Sequence, residues 1–107
     1  MEGNLVIDPS FVKRTDDSFA LKVKGDSMIN AGIFEDDMVI VSPSSEVVTN
    51  DIAVAMINGD VTVKTFINKN NKITLQPENA NYKPILISES DDFRLVGKVV
   101  GVVRWLS

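Results

Sequence analysis

The chain has 107 residues, with 44% hydrophobic and 24% charged residues; this is a globular composition, enough for one core and too little for two. Its net charge is −4, its eleven lysines and arginines are scattered, and it has neither cysteine nor histidine. These facts exclude the clustered cationic face that DNA phosphates require, and they exclude disulfides and thiolate metal sites. No apolar run reaches bilayer-spanning length and no signal peptide is present, so the reading is a cytoplasmic chain without a membrane partner.

In chain order, Leu5, Val6 and Ile7 form a candidate first strand, ended by Asp8, Pro9 and Ser10. Residues 15–18 are a polar loop. Residues 19–24 alternate with the period of a strand, which places Phe19, Leu21 and Val23 inward and Lys22 and Lys24 outward. Gly25 follows directly, and a glycine after a strand allows a tight or positive-φ turn. Asp26 and Ser27 then stand at a sharp corner. A serine there is open to a substrate, and the backbone N–H groups of Asp26 and Ser27 can hold a developing oxyanion. Gly, Asp and Ser are also the ordinary residues of turns, so Ser27 alone carries no assignment. The Asp26 side chain reads as a solvent-facing turn residue. Residues 28–34 have room for one helical turn behind Ser27, ended by Gly32. Glu35, Asp36 and Asp37 read as a solvated turn, because a hard-cation site needs six or more gathered oxygens.

Met38, Val39, Ile40 and Val41 form a continuous apolar strand, buried on both faces or nearly so. A Ser/Thr-rich loop at 43–50 leads to a strand at 52–57. Asn58-Gly59 then calls for a two-residue type I′ turn and a return strand at 61–67. Alternation puts Thr62, Lys64 and Phe66 on one face of that strand and Val61, Val63 and Thr65 on the other. A lysine between a threonine and a phenylalanine is partly desolvated, which disfavours its ammonium form. A neutral amine near pH 7 can act as general base toward a serine hydroxyl. With no histidine or cysteine in the chain, lysine is the strongest candidate base. Thr62 either orients the Lys64 amine or fills a β-branched strand position.

A polar turn at 68–71 precedes a strand at 72–76, and a long loop with two prolines covers 77–84. Residues 85–87 are a short strand and 88–92 an acidic turn, with Asp91 and Asp92 on the surface. Residues 93–105 form a long apolar strand containing Gly97 and Gly101. Glycines inside strands mark bulges or bends, so this strand is expected to bend and serve two sheets. No amphipathic helix of ten residues is present. The fold class is all-β, with short antiparallel strands and at most one or two helical turns.

Several spaced motifs carry a family likeness. GDSM at 25–28, AGIFEDD at 31–37, DIAVAMINGD at 51–60 and VTVK at 61–64 resemble the self-cleaving LexA repressors. Relatives of that family are the phage repressors and the UmuD mutagenesis proteins, serine-lysine peptidases akin to signal peptidases. VIDPSFV at 6–12, LQPENANYKPI at 75–85 and VGKVVGVVR at 96–104 extend the likeness over essentially the whole chain. It implies a LexA/signal-peptidase-like fold of strongly bent strands, Ser27 as nucleophile, Lys64 as base, and no metal or cofactor. It implies a single catalytic and dimerisation domain over residues 1–107, corresponding to the C-terminal half of such a repressor. The helix-turn-helix domain and the linker with its scissile Ala-Gly bond are expected outside it, because the one Ala-Gly pair here, Ala31-Gly32, follows the serine. DNA contact would come only through that other domain. The implied partners are the activated RecA filament of the SOS response, the cleavage loop in cis or trans, and a second copy. Residues 96–106, apolar on both faces, are expected to leave a strand edge or apolar patch for that copy, through Val99, Val102, Val103 and Trp105. The rival readings are a catalytically silent module that dimerises and docks on RecA, and the peptidase domain of a UmuD protein or phage repressor.

Overall fold

Asn58 and Gly59 both have positive φ, 51° and 90°, as a type I′ turn requires. They join β3 (Ile52–Ile57) to β4 (Asp60–Lys69) in a continuous register from Ile57↔Asp60 to Ile52↔Thr65. A second turn of the same kind follows at Asn70 and Asn71, with φ of 54° and 66°. It joins β4 to β5 (Lys72–Gln76). The structure, a computed structural model, describes residues 17–106, and the strand expected at residues 5–7 lies outside them.

The remaining strands are β1 (Phe19–Lys22), β2 (Met38–Ser42), β6 (Ile85–Leu86) and β7 (Phe93–Val103). All pair antiparallel in one seven-stranded sheet of order β1-β2-β7-β3-β4-β5-β6. The one helical element among the described residues is a 3-10 turn, Ile29–Ala31, which ends at Gly32 with φ 80°. The all-β expectation holds, and so does the helical turn behind Ser27.

β7 departs from expectation in two ways. It ends at Val103, leaving Trp105 beyond it. It bends within one sheet and does not serve two. Its first half pairs with β3 on one side and its second half with β2 on the other, so each side of the strand is paired over about half its length. The bends are bulges: Val96 is the extra residue where Leu95 and Gly97 face Ala55 and Val54, and Val100 is extra where Val99 and Gly101 face Val41 and Ile40. Each bulge stands immediately before a glycine. At Gly97 a Cβ would come within 2.7 Å of the Ser42 carbonyl oxygen and 2.8 Å of Val41 Cγ1, so only a bare Cα fits.

Two apolar clusters lie on opposite faces of β3, since they take alternate residues of that strand. Val54 packs with Met28, Ile33, Val39, Val41 and Val63. Ala53 and Ala55 pack with Phe66 and Leu75. In β2 the burial is one-sided: Val39 and Val41 are fully buried while Met38 and Ile40 are half-buried. Along β1 the expected inward set is corrected. Val23 is buried and Leu21 half-buried, but Phe19 is 41% exposed. Phe19 pairs with Val41 on the sheet's outermost strand, where alternation alone brings no cover. β1 stops at Lys22 because Val23 bonds elsewhere: its N–H donates to the Asp37 carbonyl, and its carbonyl accepts from the Asp36 N–H.

Candidate active site

Lys64 sits in the middle of β4, opposite Ala53, with Thr62 two residues earlier on the same face opposite Ala55. The hairpin fixes the backbone on both sides of it, so only the side-chain torsions place the amine. Ser27 arrives by a different route. Gly25 has φ 79° with nothing within 4 Å of where a Cβ would be, so the position needs glycine for its backbone angle and not for space. The corner turns the chain toward the 3-10 turn, and Met28, 2% exposed, inserts into the core directly after Ser27.

These two placements bring Lys64 Nζ to 3.1 Å from Ser27 Oγ. Lys64 Nζ also donates to Thr62 Oγ1. Half-buried between strands, the Lys64 amine has its pKa pushed below the ordinary lysine value, and burial is the cause. The sequence-predicted serine, lysine and threonine are therefore together. An amine whose charged form burial disfavours, one hydrogen bond from a hydroxyl, is an arrangement that can draw off the hydroxyl proton. Beside the pair is an open cleft of about 320 Å³, lined by residues 21–24 on one side and 61–64 on the other.

The Asp26 and Ser27 N–H groups donate to no acceptor among the described residues, which leaves them free for an oxyanion. The Asp26 side chain is exposed but not idle, because it accepts a hydrogen bond from the Tyr82 hydroxyl. That contact raises the Tyr82 pKa, since the ionised phenol would face a carboxylate.

Tyr82 belongs to a stretch that the sequence marked only as part of the family likeness at 75–85, with no role for its side chains. The loop at 77–84 folds over the corner: the Glu78 N–H donates to the Ser27 carbonyl at 2.8 Å, and Asn79 Nδ2 to the Asp26 carbonyl at 2.9 Å. The Glu78 carbonyl accepts from the Asn30 N–H, and its carboxylate accepts from Thr65 Oγ1 at 2.7 Å. Asn79 is 8% exposed, and its Oδ1 accepts from the Asn81 N–H. The available signal was a polar, proline-flanked stretch in a chain otherwise made of short strands.

The acidic run is also corrected. Asp37 is 2% exposed and is no solvated turn residue. Both its carboxylate oxygens accept from Arg104 at 2.7 Å, and Oδ2 also accepts from the Phe34 N–H. The Arg104 guanidinium, chiefly, holds the Asp37 carboxyl below the usual range. Arg104 donates as well to the Gly32 carbonyl and lies 4.6 Å from the Phe34 ring centre. Among the described residues no cluster of three or more carboxylates is gathered as a metal site. No helix of the described residues is long and apolar enough to cross a membrane. Of the residues expected at a subunit contact, Val102 and Trp105 are exposed, Val103 is half-buried, and Val99 packs against the core.

An all-β frame carrying a serine corner beside a buried strand lysine points to one class, and comparison with known proteins bears on it directly. The chain belongs to the Peptidase S24-like family, whose profile matches residues 1–100. It is 44% identical over 107 residues to the LexA repressor of Geobacter metallireducens, a match covering 99% of this chain and 52% of that protein. The LexA repressor of Clostridium perfringens is 42% identical over 104 residues, covering 97% of this chain and 50% of the relative. That of Caldicellulosiruptor saccharolyticus is 46% identical over 90 residues, or 84% and 43% of the two chains. The chain spans about half the length of these curated relatives.

Proposed function

We propose that residues 1–107 are the catalytic and dimerisation domain of a LexA-type repressor, a serine-lysine peptidase that hydrolyses an Ala-Gly bond in its own linker. The observation that carries this reading is the 3.1 Å approach of Lys64 Nζ to Ser27 Oγ, with burial pushing the amine toward its neutral form. Neutral Lys64 takes the Ser27 proton, and Ser27 Oγ attacks the alanine carbonyl carbon. The N–H groups of Asp26 and Ser27 hold the oxyanion. Lys64 then returns the proton to the leaving glycine amine, and water releases the acyl group by the same base. Thr62 holds the amine in line by accepting a hydrogen bond from it.

The cleft suits an extended peptide. β1 is an outer strand of the sheet, and β4 pairs with β5 only from Thr65 onward, so residues 60–64 keep one edge unpaired. A linker strand laid between residues 21–24 and 61–64 would bring its scissile bond to Ser27. An activated RecA filament would favour the conformer in which that linker is docked and Lys64 is driest, adding no catalytic group of its own. Exposed Val102, Trp105 and Leu106 supply the apolar surface for a two-fold mate.

The test is cleavage in trans. A synthetic peptide carrying the Ala-Gly loop, incubated with this chain, is expected to be cut slowly, faster as pH rises, and not at all by Ser27→Ala. Intact peptide even at pH 9–10 would instead mean a silent dimerisation and docking module.

A further inference from the structure

We infer that Asn79 is a positioning residue that sets the direction of the Ser27 N–H, the oxyanion donor. The inference rests on the peptidase reading above and extends it to a residue outside the dyad. It begins with the peptide plane between Asp26 and Ser27. That unit contains the Asp26 carbonyl and the Ser27 N–H, and in a trans peptide these two groups point in opposite directions. The described chain has no cis peptide bond. Whatever holds the Asp26 carbonyl therefore aims the Ser27 N–H.

Two groups hold it. Asn79 Nδ2 donates at 2.9 Å, and the Ile29 N–H closes a longer turn contact at 3.4 Å. The Asn79 bond is the shorter, and its donor is firmly seated. Asn79 is 8% exposed, and its Oδ1 is engaged by the Asn81 N–H at 2.9 Å. The amide is thus fixed at both ends, its orientation set by one donor and one acceptor. The next peptide plane is held the same way, because the Ser27 carbonyl accepts from the Glu78 N–H at 2.8 Å. The loop occupies the two carbonyls on one side of the corner, and the Ser27 N–H is left unpaired on the other. A corner of Gly, Asp and Ser has little intrinsic preference for one peptide orientation over its flip. A buried amide from 53 residues away decides it.

The decisive variant is Asn79→Asp. It keeps the shape and the acceptor for the Asn81 N–H but replaces the donor with an oxygen that repels the Asp26 carbonyl. With the peptide-cleavage assay, kcat should fall about 100-fold, the scale of losing or misplacing an oxyanion donor. KM should stay unchanged, and in Asn79→Ala, which adds no charge near the Lys64 amine, so should the midpoint of the pH–rate profile. Asn79→Ala should show the same split, with some loss of Tm. Backbone 15N relaxation of the Ser27 amide supplies a readout that needs no turnover: rigid in the parent chain and mobile in Asn79→Asp. Wild-type kcat in Asn79→Asp, or a shifted pH midpoint in Asn79→Ala, would overturn the inference. A parent chain that cuts no peptide would remove the peptidase reading instead. The Ser27 amide would then decide alone, and unchanged rigidity in Asn79→Asp would end the proposal.

Discussion

The two halves of the proposed dyad are held by different kinds of structure. Lys64 stands in an unbroken hairpin whose turn, register and facing residues are all near it in sequence. Ser27 stands at a corner with no strand on either side, held by contacts from residues 78 and 79, more than fifty positions away. A base tolerates this local arrangement because a long side chain reaches from a rigid strand. A nucleophile with an oxyanion site needs two peptide planes oriented at once, and a short corner cannot orient them unaided. The placement of Lys64 is thus a matter of secondary structure and that of Ser27 a matter of tertiary structure.

The largest effects test the dyad itself. Ser27→Ala, Lys64→Ala and Lys64→Arg should each abolish peptide cleavage at every pH, the arginine because its guanidinium never becomes a base, while circular dichroism shows an intact fold. Residual activity in Lys64→Arg would end the general-base role. Lys64→Met should be as inactive yet melt higher than the parent at pH 7. The folded-state pKa of Lys64 is lowered, so the fold bears the penalty for burying the ammonium at every pH below that value. The penalty disappears above the unfolded value of about 10.4, and the gap in Tm between parent and variant should close as pH climbs toward it.

Next comes the frame on the hairpin side. Gly97→Val would drive a branched side chain against Ser42 and Val41, forcing β7 off its partner, and should cost about 3 kcal/mol or more by denaturant titration. A smaller effect is expected on the corner side from Asp37→Asn, which unpairs Arg104 and loosens residues 32–37. Its Tm should drop by several degrees at pH 7. Because the folded Asp37 pKa is lowered, its contribution is complete above the unfolded value of about 3.9 and is lost as pH falls through the lower folded value. Parent and variant should therefore converge below about pH 4. The smallest effect belongs to Thr62→Val. With the acceptor gone, the ammonium loses a hydrogen bond, so the pH–rate midpoint should move down while the plateau falls a few-fold. An unchanged profile would reduce Thr62 to a strand-filling residue.

The same division decides what could be read from the residues alone. Asn58-Gly59, the alternation of Thr62 and Lys64, and the positive φ of Gly25 and Gly32 are local rules, and each is met in the structure. The apolar glycine-bearing run of β7 correctly signalled bulges, but whether a bent strand serves one sheet or two depends on its partners. Phe19 had the right period and the wrong environment, since an outer strand has cover on one side only. Asp37 with Arg104 and Asn79 with Asp26 pair across 67 and 53 residues. Nothing near either asparagine or aspartate marks it as buried.

β7 is the last strand in sequence and the third of seven in space. Among the described residues, a nascent chain that has emerged only through residue 92 holds two separate half-sheets, β1-β2 and β3 through β6, with no ladder between them. Both present an open edge, a hazard for mispairing that lasts until the final strand arrives. Ser27 travels with the first half and Lys64 with the second. Synthesis itself thus acts as a timer for the proposed activity: Ser27 and Lys64 meet in their sheet-locked geometry only after residues 93–103 have zipped the halves together.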